Sequence, residues 1–444
     1  MMNWHDLISS RRLGKEESQK LATEQRTEFQ RDYDRLIFSA PFRRMQNKTQ
    51  VFPLPGSIFV HNRLTHSLEV SSVGRSLGTD VGRELMARHP ELPVTFAESI
   101  SAIVSAACLA HDMGNPPFGH SGEKAISSFF AEGEGQRFKD VLPPEVWADI
   151  THFDGNANTF RLLTHQFNGR RRGGFVMTYS TLAAIVKYPF AATQAKGKPK
   201  FGYFLPERYD FVRIFDQLGV VRVPTDDGTP RYARHPLVYL VEAADDICYQ
   251  IMDIEDAHKL RLLSDEQTEA LLLAFFEPET QRRLLNDIPE GTDRGDRIVY
   301  MRASVIGALV RACVRVFVER EEEILRGEFS STLIRELPEP LHTAYRQCAR
   351  TAVSTIYSSK LVTDIELSGY HIIYTLLQLM TAAVENPDGA YAQLLLRQVS
   401  AQYELTAPDL PTRIMAVLDY ITGMTDVYAL DLYRKINGQQ LPMV

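Results

Sequence analysis

The sequence predicts an all-α protein. Apolar residues recur at helical spacing along most of the chain, as in the stripe Ile306, Leu309, Val310, Cys313 and Phe317. No alternating strand pattern of useful length is present, and no internal repeat or low-complexity tract interrupts the helices. With 444 residues, 44% hydrophobic and 24% charged, the chain can bury a large core as one large or two ordinary domains. Its 49 basic and 56 acidic residues give a net charge of −7, which excludes a protein whose main task is coating nucleic acid but leaves room for a local basic pocket.

Taken in order, residues 1 to 30 are polar and charged and read as an arm or surface helix. Helix and then extended chain is expected from Asp32 to Phe52, with Arg43, Arg44, Gln46, Lys48 and Gln50 crowded together. Residues 62 to 88 and 97 to 112 read as the first two core helices. Ser121 can cap a third, through Glu123, Ile126, Phe129 and Phe130. Residues 131 to 146 read as a surface loop, 156 to 167 as helix, and 168 to 174 as a basic, glycine-broken loop. A helix over 181 to 187 stops at Pro189, residues 191 to 236 are irregular, and 236 to 258 resumes helix. Helical periodicity then continues over 264–285, 296–327, 340–358, 366–385, 389–403 and 409–436.

The longest apolar stretch, Gly369 to Val384, contains His371 and Gln378 and reads as too short and too polar for a bilayer. The N-terminus lacks the apolar core of a secretion signal. Cysteines 108, 248, 313 and 348 sit inside apolar helical patterns without CxxC spacing, which predicts reduced thiols in a cytoplasmic protein.

Chemistry concentrates in residues 111 to 123, HDMGNPPFGHSGE. Val104, Ala107, Cys108 and His111 fall at i, i+3, i+4 and i+7, so His111 lies on the inward stripe with Asp112 beside it. Gly114 and Asn115-Pro116-Pro117 then stop the helix. A buried His-Asp pair is costly unless something pairs it, and a divalent cation would. His66 and Asp245, each on its own apolar helix, complete a candidate set. Alone, His66 reads as a structural histidine; with His111, Asp112 and Asp245 it becomes a metal ligand. Two imidazoles with two carboxylates suit Mn2+ or Mg2+, with Fe2+, Co2+ or Zn2+ left open. His120 and Glu123, at i and i+3 across a helix start, have the spacing of a proton-transfer pair or of a simple cap. No GxxxxGK[ST] loop, GxGxxG turn or Ser/Cys nucleophile motif occurs, which leaves a metal-activated water as the nucleophile.

The pattern H…HD…D with these flanks resembles the HD-domain superfamily of metal-dependent phosphohydrolases, and within it the deoxyguanosine triphosphate triphosphohydrolases. The resemblance rests on RRMQNKTQVFPL (43–54), RLTHSLEV (63–70), HDMGNPPFGHSGE (111–123), FDGNANTFRLL (153–163), KY (187–188), EAADDICY (242–249) and DYITGMTD (419–426). It implies an HD-domain helical core with an extended helical C-terminal region. Residues 1–61 would contribute to the active site, 62–256 would form the catalytic core, and 257–444 would pack on it. It further implies catalytic roles for His120 and Glu123 and substrate contacts from Arg63, Asn115, Lys187 and Tyr188. Gln50 would lie against the sugar, and Asn156 near the base. By residue type alone, Tyr249 and Asp253 are a core tyrosine and an acid one turn apart; the resemblance sets them at the sugar 3′-hydroxyl, where the ring would exclude a 2′-hydroxyl. The expected reaction is hydrolysis of dGTP to deoxyguanosine and triphosphate. Relatives are commonly homo-oligomers. Another HD phosphohydrolase, such as a nucleotidase or phosphodiesterase, and a nucleotide or single-stranded nucleic-acid binder remain the alternatives.

Overall fold

The computed structural model describes residues 1–16, 26–52, 60–195 and 200–440, and among these the only β pairing is five isolated bridges. The chain is all-α, as its periodicity predicts. Residues 17–25 of the expected arm, Pro53 and Leu54 of the first motif, and residues 196–199 of the irregular stretch lie outside the described residues.

The N-terminal segment corrects the first expectation. Met2, Trp4, Leu7 and Leu13 are buried around the short helix α1 (Trp4–Leu7), and the Trp4 indole donates to Glu321 Oε1 at 2.9 Å. Met2, Trp4 and Leu7 of MMNWHDL turn inward together, while Met1 stays exposed. Arg12, also buried, pairs with Asp32 at 2.6 Å and so anchors α2 (Glu28–Ile37), which a Thr27–Gln30 capping box opens. Helix α3 (Ala40–Arg44) leads to the first core pair, α4 (Arg63–Arg88) and α5 (Phe96–Ala110), which run antiparallel.

Helix α6 (His120–Ala131) begins one residue before the expected cap, with Gly119 at the N-cap position. The Ser121 hydroxyl donates instead to the Glu366 carbonyl. The expected loop after it is largely structured: Phe138 is buried in a 3-10 turn, and α7 (Pro144–Thr151) starts at Pro144. Helix α8 (Gly155–Thr164) follows, then α9 (Tyr179–Ile185), so Lys187 and Tyr188 come after a helix end and do not close it. The irregular stretch contains α10 (Arg208–Gln217), whose Phe211, Ile214 and Phe215 are fully buried. Helix α11 (Val238–Lys259) crosses α4 and α5.

Beyond it, Pro278 cannot donate a backbone hydrogen bond, so the expected helix over 264–285 is two, α12 (Asp265–Leu273) and α13 (Pro278–Asp287). Then come α14 (Arg294–Glu319), α15 (Glu321–Arg326) and α16 (Leu341–Thr351), the last running into a π turn over Ala352–Ile356. Helices α17 (Lys360–Glu385), α18 (Ala390–Arg397), α19 (Leu410–Thr422) and α20 (Asp426–Ile436) close the chain, with Gly423 breaking the expected single helix over 409–436. By length and composition α17 could cross a membrane, but half of its apolar window is buried inside the protein, against α6, α18, α19 and α20.

Among the described residues the apolar interior forms two clusters. One gathers α1, α2, α4, α5, α9, α10, α11 and α14; the other gathers α6, α7 and α17 to α20. Helix α8 belongs to both, through Phe160 and Leu163 on one side and Ala157 on the other. Its Arg161, buried, holds Asp419 of α19 through two bonds of 2.7 Å and Glu207 through one of 2.5 Å. Removing this guanidinium would strand two buried carboxylates. Arg161→Ala is expected to cost about 3–5 kcal/mol, read as a fall in the urea midpoint of unfolding. An unchanged midpoint would show that the triad carries no stability.

Candidate active site

The site starts from two helix ends. Asn62 caps α4 through a reciprocal pair with Thr65, which fixes the first turn and sets Arg63 and His66 three residues apart on one side. Helix α5 stops at Ala110, and His111 lies just past it with Nδ1 2.6 Å from the Cys108 carbonyl. A carbonyl only accepts, so Nδ1 carries the hydrogen and Nε2 is turned toward the interior. That Nε2 is buried and has no hydrogen-bond partner. It stands 3.4 Å from Asp245 Oδ1 and 3.7 Å from Asp112 Oδ1, while His66 Nε2 is 3.2 Å from the same Asp245 oxygen.

His66, His111 and Asp112 each offer a ligand atom, all within 4.8 Å of one another. Asp245 adds a carboxylate that touches both imidazoles. This mixed nitrogen and oxygen set, closed around an orphaned nitrogen, fits a divalent cation. The electrostatics agree. Burial works against charge on Asp112, yet Arg63 at 2.6 Å and then His111 overcome it and push the carboxyl down to about 2. Asp245 is likewise held well below its usual range despite burial, by His111 and His66 and by Lys187. Burial opposes charge on His111 as well, but Asp112 and Asp245 lift it to about 9. Two ionised carboxylates favour positive charge between them, and a metal ion would replace the imidazolium proton.

The turn after Asp112 is shaped by close approach. A Cβ on Gly114 would lie 2.1 Å from the Thr159 backbone nitrogen, so the turn fits against α8 only as glycine. Asn115 follows and donates to Asp112 Oδ1 at 2.5 Å. Phe118 then adopts a left-handed φ of 60°, uncommon for a side chain of its size, and its N–H is held by Asp426 Oδ1 at 2.9 Å. The turn delivers His120, whose side chain is 73% exposed, with Nδ1 2.8 Å from Glu123 Oε2. Glu123 is nearly buried and also accepts from the Gly155 N–H at 2.7 Å. Burial would raise its pKa, but the hydrogen bond to His120 leads a set of partners that lower it.

A cavity of about 330 Å3 opens over this region. Gln50, Arg63, His111, Asp112, Asn115, His120, Glu123, Asn156, Lys187, Tyr188, Asp245 and Tyr249 all line it. Lys187 Nζ lies 3.5 Å from Asp245 and 3.9 Å from Glu242, which raise its pKa against the opposing effect of burial. His66 and Asp253 are not on the wall. Asp253 is buried one turn beyond Tyr249 and accepts from the Tyr357 hydroxyl at 2.6 Å.

Two residues escaped the sequence reading. Lys200 lines the cavity with Nζ 3.2 Å from Asp154, in a stretch whose only signal was three lysines among glycine and proline. Tyr357 stands over Asp253 with its ring 6.2 Å from that of Tyr249, placed by the π turn before it. A π turn has no pattern that periodicity reveals.

Residues 63–152 match the HD domain and residues 335–435 the phosphohydrolase-associated domain. Fold and His/Asp cluster thus define an HD-domain protein, the class of metal-dependent phosphohydrolases. A deoxyguanosinetriphosphate triphosphohydrolase-like protein of Pseudomonas aeruginosa is 38% identical over 99% of this chain and 100% of its own length. Another, from Synechocystis sp., is 36% identical over 99% and 100%. A deoxyguanosinetriphosphate triphosphohydrolase of Yersinia enterocolitica is 28% identical over 92% and 93%. The chain belongs to this family of deoxyguanosinetriphosphate triphosphohydrolase-like proteins.

Burial pushes the Asp253 carboxyl up to about 8, and the Tyr357 hydrogen bond only partly offsets it. The unfolded chain, with a value of 3.8, therefore loses this proton first. The folded state is penalised as pH rises from about 4, fully so above about 8. Asp253→Asn should be more stable than the parent at pH 9 and lose that advantage toward pH 4, measured by urea unfolding at both. A pH-independent difference would remove the buried neutral acid.

Proposed function

We propose that the protein is a metal-dependent deoxynucleoside triphosphate triphosphohydrolase, with dGTP as the substrate of choice, releasing deoxyguanosine and inorganic triphosphate. The observation that carries this reading is the cavity itself, lined together by His111, Asp112 and Asp245 of the His/Asp cluster, the His120–Glu123 pair and the cations Arg63, Lys187 and Lys200. A triphosphate brings about four negative charges, and basic side chains are the usual means of binding it.

In this reading His66, His111, Asp112 and Asp245 hold the cation, Mn2+ or Mg2+ by preference and Fe2+, Co2+ or Zn2+ as alternatives. Such an ion supplies Lewis-acid polarisation of a phosphoryl oxygen and lowers the pKa of water. Water attacks the α-phosphorus and the bond from that phosphorus to the sugar 5′ oxygen breaks. Arg63, Lys187, Tyr188 and Lys200 hold the phosphates, and Asn115 keeps Asp112 in place. Glu123 holds Nδ1 of His120, which leaves Nε2 free to give a proton to the departing 5′ oxygen. Gln50 and Tyr249 hold the sugar, and Asp253, one turn behind Tyr249, meets the 3′-hydroxyl when substrate displaces the bond it accepts from Tyr357. Asn156 lies toward the base.

We assign 1–61 to the site's edge through Gln50, 62–256 to the catalytic core and 257–444 to a helical region packed on it, which adds Tyr357. Buried free thiols at Cys108, Cys248, Cys313 and Cys348 support a cytoplasmic enzyme. Exposed apolar side chains on the C-terminal helices, such as Leu367 at 72% and Leu394 at 58%, support a homo-oligomer.

The test is product analysis. Incubated with each of the four dNTPs or with GTP, and with Mn2+ or Mg2+, the protein should convert dGTP to deoxyguanosine and intact triphosphate and leave GTP nearly untouched. Release of dGMP, of orthophosphate, or equal use of GTP sinks the assignment.

His120 is the most exposed member of the set and its imidazole pairs with Glu123, outside the group of ligand atoms formed by His66, His111 and Asp112. His120→Ala should keep its metal by elemental analysis and its dGTP affinity, while kcat falls about 10²–10⁴-fold. Loss of metal in that variant would make His120 a ligand, and normal turnover would end the dyad.

A further inference from the structure

Behind the wall that carries Asn115 lies a second cleft, between the end of α3, the loop after α8 and the end of α19. It is small, about 30 Å3 against 330 Å3 for the active-site cavity, which is room for roughly two water molecules on the same measure. Three cations face it, Arg44, Lys48 and Arg170, and a single carboxylate, Asp419. That carboxylate is already spent, since both its oxygens accept from Arg161 at 2.7 Å.

Neither arginine has an acid of its own. Among the described residues no carboxylate lies within ion-pairing distance of Arg44 or of Arg170. Arg170 sits instead over the rings of Phe167 and Phe175, at 5.8 and 5.4 Å. Arg44 is half-buried at the end of α3, and burial together with the nearby Arg170 charge lowers its pKa, which only the Tyr403 side offsets. Lys48, 3% exposed, closes the floor by donating to the Asn115 and Thr422 carbonyls at 2.6 and 2.8 Å. An ammonium has three donors, so one remains.

Two guanidinium groups brought together in a partly buried cleft without a counter-charge are unfavourable unless an anion joins them. We propose that this cleft is a second binding site, for a single tetrahedral oxyanion of the phosphate type, held by Arg44 and Arg170 over the Lys48 ammonium. Its volume excludes a nucleoside, and guanidinium forks match the geometry of such an anion. The site shares no lining residue with the active-site cavity and its occupancy does not depend on the reaction assigned above.

The test uses inorganic phosphate as the probe, on the full chain treated with EDTA, by isothermal titration calorimetry. The active-site cations also attract phosphate, so three variants are compared with the parent. Arg44→Ala and Arg170→Ala should each weaken one class of phosphate site about tenfold or more, while Lys187→Ala leaves that class in place. Sulfate should compete and chloride at equal ionic strength should not. If Arg44→Ala has lost helix content by circular dichroism, Arg170→Ala decides, because its side chain packs only on ring faces. The proposal is overturned by an Arg170→Ala isotherm that superimposes on the parent's, by loss of all phosphate binding in Lys187→Ala, or by equal competition from chloride.

Discussion

The architecture depends on how closely α4 and α5 approach. Gly74, Gly78 and Gly82 recur every four residues on α4, and each faces a small residue of α5. A Cβ on Gly82 would lie 2.5 Å from Ala97 Cα, on Gly78 2.9 Å from Ser101 Cα, and on Gly74 2.5 Å from Cys108 Sγ. Without side chains along this line the two helix backbones can pack closer than the usual 8–10 Å between axes. The seam ends beside the site, two turns from His66 on one helix and less than one from His111 on the other. The two imidazoles consequently sit with ring centroids 5.4 Å apart, although 45 residues separate them in sequence. Helix α11 then lies across both and presents Asp245 to each. A bulkier residue in the seam would act on the cluster at a distance, by spreading the helices that carry it.

Bringing these groups together inside a protein sets an electrostatic problem, which the chain meets by alternating signs. From one end the order is Arg63, Asp112, His111, Asp245, Lys187, Glu242 and Arg234. Successive separations are 2.6, 3.7, 3.4, 3.5, 3.9 and 2.7 Å. Each acid is flanked by groups that carry or accept positive charge, so the ionisation of Asp112 and Asp245 survives burial. Buried ion pairs add little net stability, because desolvation cancels most of the attraction. Their value here lies in fixing charge before a substrate arrives. An array already oriented needs no reorganisation when a phosphate enters it.

How much of this the sequence revealed follows from what kind of signal each part carries. The long helices were legible because a buried stripe must repeat at 3.6 residues. So were His66, His111, Asp112 and Asp245, since an acid or histidine on such a stripe has no apolar reason to be there. Other parts had a readable signal that was not used. Phe211, Ile214, Phe215 and Leu218 form an i, i+3, i+4, i+7 stripe inside the stretch taken as irregular, and MMNWHDL holds four apolar residues in a segment judged by its charges. Lys200 had only the lysines around it, and Tyr357 had none. One reaches the cavity from a non-helical segment and the other through a π turn, and the position of each depends on packing between segments far apart in the chain. Asp253 shows the converse: its helical spacing puts it on the same face as Asp245, but burial and the bond from Tyr357 hold it off the cavity wall.

The site also straddles the two apolar clusters. The His/Asp set rides on α4, α5 and α11 of the first, while His120 and Glu123 ride on α6 of the second. Apolar packing is non-directional and would allow the clusters to shift against each other by fractions of an ångström, enough to separate a proton donor from its target. Directional bonds close that freedom. Lys48 ties the Asn115 carbonyl to that of Thr422, and Asp426 takes the N–H groups of both Thr49 and Phe118. Arg161 joins α8 to α19, and Glu123 accepts from the first residue of α8. Lys48 shows what this costs, since burial drives its pKa down to about 7 and a leucine would fit an apolar interior better. Such groups are poor stabilisers and good locators. Their place along the seam between the clusters is where location matters, because the angle from His120 to the cluster is set across that seam as well as by the turn that joins Asp112 to His120.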